Sequence, residues 1–300
     1  MTLSRFELFS PERLDEAVAL LKEKGKNTFV MAGGTDLLIK RRHQIIHPQT
    51  IVSLKKISGL NRISFSPDKG LTIGATALLG DVARHGTILE IYPAVAKAAA
   101  NTANVQIRNM GTLVGNLCNA SPAADNAPTL LAMNAELNIV GPQGERALPL
   151  EEFFLGPGST ALQPAEIVTS VFVATPAPRS GTTYLHLSAR GRIDCSAAST
   201  GVSLTLKGSK IDTVRIFVGA CGPTPLRMQK TEKQLVNQKI TNAMAEQAGL
   251  QASKESKPIS DVRANEDYRS KMVAVLVKRA ILEAYGLARE NKNEGSRGRG

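Results

Sequence analysis

The spacing of apolar and polar positions divides the chain into short elements. Ser10 suits a helix N-cap, Pro11 the first helical position and Glu12 the positive first turn. Leu14, Ala17, Val18 and Leu21 then recur at i, i+3, i+4 and i+7, which predicts an amphipathic helix closed by Gly25. Thr28 to Met31 is a short apolar run that reads as a buried strand. It stops abruptly at Ala32-Gly33-Gly34-Thr35-Asp36, and a second apolar run, Leu37 to Ile39, follows at once. Ile51 to Leu54 and Leu71 to Ala75, each bounded by turn residues, predict two more strands. Ile88 to Ala103 is rich in Ala and helical in character. Asn109 to Pro128 is different: Gly, Asn, Ser, Thr and Ala crowd it, and charge is almost absent. A polar, uncharged loop of that length is seldom idle surface.

Leu130 to Val140 ends at Gly141-Pro142, and a strand-rich segment continues to about Ala174. Thr175 to Gly181, rich in Pro, Ser and Gly, marks the predicted domain boundary. Past it, Val202 to Leu206 and Val214 to Val218 read as strands. From about Asn242 the pattern becomes helical, and Met272, Val273, Leu276, Val277 and Ile281 form the buried stripe of a last helix ending near Gly286. Residues from about Arg289 onward are expected to be disordered. No internal repeat is present.

Three hundred residues at 42% hydrophobic suffice for one large core or two smaller ones, and two domains suit the length better. No apolar stretch approaches the roughly 18 residues needed to span a bilayer. The N-terminal residues lack the apolar run and small-residue site of a signal peptide, so a cytoplasmic location is expected. Cys118, Cys195 and Cys221 are far apart and form no Cys-x-x-Cys pair, which speaks against a disulfide framework and against an iron–sulfur or zinc site. The net charge of +11 invites a nucleic-acid reading, yet aromatics are only 4% and the basic residues form no stripe. Lys40-Arg41-Arg42 is the densest basic cluster. Attraction for an anionic cofactor or an acidic partner accounts for the charge equally well.

Two stretches carry chemistry. In Ala32 to Asp36, paired glycines after a strand let backbone N–H groups converge on an anion, and Thr35 adds a hydroxyl. Neither a Gly-x-Gly-x-x-Gly fingerprint nor a P-loop is present. The plainer reading is a tight strand-to-strand turn. In Gly111 to Asp125, small residues, hydroxyls and amides recur around a single acid, with Arg108 just upstream. Such a loop can bond phosphate oxygens, sugar hydroxyls and a flat heterocycle, or it can satisfy itself as an Ω-loop. His43, His47 and His85 show no ligand spacing and read as solvent-facing. Cys118 reads as a small apolar filler.

Together these stretches resemble the FAD-binding subunit, or middle domain, of the molybdenum hydroxylases, the xanthine dehydrogenase and carbon monoxide dehydrogenase family. The residues that carry the resemblance are Ala32 to Leu37, Ile107-Arg108-Asn109 leading to Thr112-Leu113-Val114-Gly115-Asn116, Ala120-Ser121-Pro122 with Asp125, Ile73 to Thr76, and Asp267-Tyr268-Arg269. It spans nearly the whole chain.

The resemblance implies an α+β fold. A vanillyl-alcohol-oxidase (PCMH)-type two-part FAD-binding domain would occupy 1–177, with sub-domains at about 1–57 and 58–177. A small α+β domain of antiparallel sheet plus helices would occupy 178–288, ahead of a tail at 289–300. It implies that Val30, Met31, Ala32, Gly33, Gly34, Thr35, Asp36 and Leu37, with Thr112, Leu113, Val114, Gly115 and Asn116, wrap the FAD diphosphate and nearby sugar. Thr102, Asn119, Ser121 and Asp125 would line the cofactor, and Leu162 would lie near the isoalloxazine ring. Two departures stand out. Val114 occupies the first of two places where the family carries paired glycines, and His186 stands where many members place a lysine near the flavin. A titrating imidazole supports an anionic flavin less firmly than a fixed ammonium does; the plainer reading of His186 is a surface strand residue. Arg190 and Arg192 could meet a partner or a cofactor phosphate, or remain solvated.

By the same resemblance the chain is an electron-transfer subunit with no catalytic acid or base of its own. A large subunit would carry the molybdenum cofactor and a small one the iron–sulfur clusters; electrons would leave through FAD to NAD or another carrier. The assembly would be a hetero-oligomer, with a dimer of heterotrimers as one such form. The alternatives are a self-contained flavin oxidase or dehydrogenase of the same fold, and a non-catalytic binding protein. If both loops lie against one dinucleotide, Gly33→Val or Gly115→Val abolishes flavin retention while the chain stays folded. Wild-type flavin content in both variants would refute that placement.

Overall fold

The computed structural model describes residues 5–188 and 195–291. Its first sheet is three-stranded and parallel, in the order β1-β3-β2, built from β1 (Glu7–Phe9), β2 (Thr28–Met31) and β3 (Thr50–Ser53). Parallel strands need crossovers, supplied by α1 (Leu14–Lys24) and α2 (Leu37–Arg42). β3, the middle strand, is buried at all four positions. Ala17, Val18 and Leu21 of α1 are buried, as the periodicity predicts. The helix starts later than its capping signals suggest. Arg13 holds the N-cap place without a side-chain cap, and buried Pro11 belongs to the turn leading out of β1. β2 is half-buried instead of buried, and the run after the Gly-Gly turn is a helix, so that turn joins strand to helix.

The next sheet is antiparallel, in the order β4-β5-β10-β6-β7. Its strands are β4 (Ile63–Ser66), β5 (Gly70–Gly74), β6 (Glu136–Gly141), β7 (Gly144–Pro149) and β10 (Ile167–Ala174); β8 (Phe154–Gly156) and β9 (Ser159–Thr160) form a separate hairpin. Between β5 and β6 lie α3 (Leu79–Arg84), α4 (Gly86–Ile91), α5 (Pro93–Asn101), α6 (Val105–Arg108), α7 (Leu113–Cys118) and α8 (Asn126–Ala132). The single helix expected over Ile88 to Ala103 divides at Pro93, which lacks an N–H and takes the first position of α5. The polar stretch from Asn109 is likewise no simple loop. Thr112 Oγ1 accepts from the Gly115 N–H at 3.0 Å and caps α7 within it. Leu71, Ile73, Leu137, Ile139 and Val171 join Leu113, Leu117, Leu130 and Leu131 in one core, each such side chain contributing roughly 1.5–3 kcal/mol by burial.

The last third is an antiparallel sheet in sequence order: β11 (Ser180–Leu187), β12 (Ala198–Lys207), β13 (Lys210–Gly219) and β14 (Leu226–Arg227). α9 (Gln229–Leu235), α10 (Asn242–Glu255) and α11 (Glu266–Glu290) complete it. Val273, Leu276, Val277 and Ile281 are buried on α11, whereas Met272 is half-buried. α11 continues past Gly286, so Arg289 and Glu290, expected in the tail, are helical and Asn291 caps the helix; the rest of the expected tail, 292–300, lies outside the described residues. Arg190 and Arg192 also lie outside them.

α8 is buried along its whole length and packs on β12 and β13. Gly201 of β12 makes the closest approach: a Cβ there would stand 2.7 Å from Thr129 N and press on the Pro128 carbonyl. Glu151 adds ion pairs to Arg215 at 2.7 Å and Arg227 at 3.3 Å across the same junction. Because the obstacle at Gly201 is backbone that cannot swing away, Gly201→Ala is expected to cost about 1–3 kcal/mol. An unchanged urea midpoint would contradict that packing.

Candidate functional site

The turn at 32–36 is left with donors and no acceptors. Gly34 has φ +78°, a conformation that side chains bearing a Cβ rarely adopt. Among the described residues, no group accepts from the N–H groups of Gly33, Gly34, Thr35 or Asp36. Four consecutive free N–H groups at a strand-to-helix turn form an anion-binding concavity. The second loop lies directly against it. A Cβ on Gly33 would stand 2.8 Å from Gly111 Cα and overlap the Met110 carbonyl, and one on Gly115 would stand 2.7 Å from the capping oxygen of Thr112. These glycines thus serve the meeting and folding of the two loops themselves. Gly33→Val would part the loops, so loss of a ligand would follow from separated walls.

The loops enclose a cavity of about 610 Å³, within the range of cofactor sites. Of the positions singled out above, residues 30–37, Thr102, Thr112, Val114, Gly115, Asn116, Asn119, Ser121, Asp125 and Leu162 line it. Leu113 and His186 are not in its wall. Leu113 is fully buried in the core behind it. His186 stacks on Tyr184, ring centroids 5.7 Å apart, and Tyr184 in turn reaches lining residue Asp125. Val114 is buried in α7 and is absent from the positive-φ residues, so its side chain brings no backbone strain.

Several lining groups were not assigned from the sequence. Lys40 Nζ donates to Asn119 Oδ1 at 2.6 Å, and Asn119 Nδ2 donates to Asp36 Oδ1 at 3.1 Å, tying α2 to α7. Lys40 sits four residues after Asp36, one helical turn on the same face, and opens the basic cluster Lys40-Arg41-Arg42; those were its local signals. Glu166 is clamped by Arg146 at 2.7 and 2.8 Å and by the Gln163 N–H at 2.7 Å; the Arg146 bonds hold it below the usual carboxylate range. The Cys118 thiol is pushed up to about 12 by burial and stays protonated, as an apolar wall group does. Cys195 also lines the cavity. His43 and His47 are exposed, whereas His85 is half-buried.

Asp125 lies in the same wall. It is buried, and its Oδ1 accepts from Tyr184 Oη at 2.6 Å and Ser196 Oγ at 2.5 Å, both beyond residue 180. Burial raises this carboxyl, with the two hydroxyls opposing. Burial and the Asp125 charge push Tyr184 well above its ordinary value, so it remains a donor. A second tie runs through Arg269: it donates to the Ala220 carbonyl at 2.6 Å, and the Ala220 N–H donates to Pro122 O at 2.8 Å. Arg269 also pairs with Asp261 at 2.6 Å.

Free N–H donors, an ammonium, hydroxyls, amides and an apolar wall around Leu162 fit the diphosphate, sugar and flat ring of a flavin dinucleotide. Residues 4–176 match the family model described as the FAD binding domain in molybdopterin dehydrogenase, and 183–284 match the CO dehydrogenase flavoprotein C-terminal domain. Fold and site thus define an FAD-binding oxidoreductase subunit. The carbon monoxide dehydrogenase medium chain of Hydrogenophaga pseudoflava is 30% identical over 283 residues, covering 94% of this chain and 97% of its own. The xanthine dehydrogenase FAD-binding subunit of Escherichia coli O157:H7 is 29% identical, covering 92% and 94%. Among solved structures, quinoline 2-oxidoreductase from Pseudomonas putida 86 superposes with TM-score 0.88 at 26% identity, covering 97% of this chain and 100% of its own. The carbon monoxide dehydrogenase of H. pseudoflava does so with TM-score 0.91 at 29%, covering 95% and 99%. This chain belongs to the FAD-binding medium subunits of the carbon monoxide dehydrogenase and xanthine dehydrogenase family.

Burial alone would raise Asp261, but the Arg263 N–H and the Arg269 and Arg263 guanidiniums outweigh it and bring the carboxyl to about 2. Its ordinary value is 3.8. A depressed folded value stabilises the fold above 3.8, and that gain is lost as pH falls through about 2. Asp261→Asn is therefore expected to lower the urea midpoint at pH 7, by an amount that solvent screening of this exposed carboxylate keeps modest, and much less at pH 2. Urea melts at both pH values check this; an equal loss at both would refute the linkage.

Proposed function

We propose that this chain is the electron relay of a multi-subunit molybdenum hydroxylase, receiving electrons from iron–sulfur clusters on a small partner subunit and passing them to NAD or another acceptor. A large molybdopterin-binding subunit would oxidise the organic substrate. When bound, FAD supplies the exchange between one-electron and two-electron carriers. The protein supplies binding and placement. The N–H groups of 33–36 and Lys40 receive the diphosphate, with Thr112, Asn116 and Ser121 completing that wall. Asp125, its Oδ1 already engaged by Tyr184 and Ser196, offers Oδ2 to a sugar-chain hydroxyl. Leu162 packs near the ring. His186 acts from behind Tyr184 and leaves the flavin without a fixed cation at that place.

The observation that carries this reading is the facing of the two loops across one cavity, Gly33 against Met110 and Gly111. Division into a two-part FAD domain at 1–177 and a smaller domain at 178–288 belongs to the same proposal, as do a cytoplasmic location and a hetero-oligomer such as a dimer of heterotrimers. No helix among the described residues is long and apolar enough to cross a membrane.

Purified protein is expected to be yellow with a flavin spectrum that bleaches only when partner subunits and their substrate are added. Substrate turnover by the chain alone would make it a self-contained oxidase. A colourless protein that takes up no FAD would make it a binding protein of another kind.

A further inference from the structure

Asn126 is 1% exposed, at the first position of α8, and does not itself reach the cavity. It touches two residues that do. Its Nδ2 lies 3.1 Å from Thr102 Oγ1 and 2.9 Å from Asn116 Oδ1. Thr102 Oγ1 lies 2.9 Å from the Ala98 carbonyl near the end of α5.

The direction of every bond in this chain follows from its first member. A backbone carbonyl only accepts, so the Thr102 hydroxyl hydrogen goes to Ala98. The same oxygen can then only accept from Asn126, so the amide atom facing it is the NH₂ group. The second hydrogen of that group faces Asn116, which must present its carbonyl oxygen. A planar amide whose oxygen is turned inward has its NH₂ turned away, and Asn116 lines the cavity. Among the described residues nothing accepts from that NH₂. The cost of this arrangement is visible at Asn126, whose Oδ1 is buried without a partner. Turning the amide to relieve it would break both bonds, so the relay dictates its orientation.

We infer that Asn126 is a positioning residue that fixes Asn116 as a hydrogen-bond donor toward an acceptor oxygen of the bound flavin dinucleotide. The inference rests on the FAD reading of the cavity. The nearby N–H groups of residues 33–36 favour the same kind of ligand atom, so the two walls agree in sign.

Chain stripped of flavin and titrated with FAD by fluorescence tests this. Wild-type protein that takes up no FAD would refute the FAD reading itself, a failure distinct from those below. Asn126→Leu, unable to hold Asn116, is expected to weaken FAD binding about tenfold, the value of one hydrogen bond to a charged acceptor. Asn126→Asp is expected to weaken it further, because a carboxylate cannot donate and would turn the Asn116 carbonyl toward the ligand. In an Asn116→Ala background, Asn126→Leu should add nothing. Wild-type affinity in Asn126→Leu, or losses that multiply in the double variant, would overturn the inference. If circular dichroism shows Asn126→Leu unfolded, the same cycle with Asn126→Ala decides. An ADP titration in parallel locates the acceptor: tenfold weakening for ADP as well as FAD places it on the ADP half, weakening for FAD alone on the ribityl chain or the ring.

Discussion

One backbone-to-backbone contact underlies the site. Gly33, in the turn after β2, lies so close to Met110 and Gly111 that no side chain fits between them. That contact brings the parallel sheet of the first part against the helices of the second. It also sets the width of the cavity between them. A residue bearing a Cβ would hold the loops apart and leave each set of donors facing water.

Charge is arranged locally, not globally. The chain carries +11 overall, yet among the described residues the cavity wall holds one ammonium, Lys40, tied through Asn119 to Asp36. Of the other two acids in the wall, Glu166 is matched by Arg146 and Asp125 is held by the Tyr184 and Ser196 hydroxyls. What remains to meet an anion is chiefly backbone N–H, which needs no counter-charge and no side-chain ordering. The two departures from the family pattern fit this economy: Val114 folds into an ordinary helix, and His186 is held behind Tyr184.

The last third of the chain acts as a buttress for the second loop. Tyr184 and Ser196 fix Asp125, Ala220 holds Pro122, and β12 packs on α8 through Gly201. Each tie joins residues dozens of positions apart, so the loop that reads as polar and irregular is anchored from the last third of the chain.

What the sequence by itself determined was local. It settled the stripe of α11, the strands around Ile51, Leu71, Val202 and Val214, and the two glycine-bearing segments, because periodicity and turn chemistry act between near neighbours. Family motifs in the right order then named the fold. Tertiary structure alone decided the rest. It started α1 after Pro11, folded α7 and α8 inside the polar stretch, and gave Gly33 to the opposite loop. It also clamped Glu166 of the cavity wall with Arg146 and set Tyr184 on Asp125. These outcomes depend on which distant backbone passes within hydrogen-bond reach, and one-dimensional spacing carries no record of that distance.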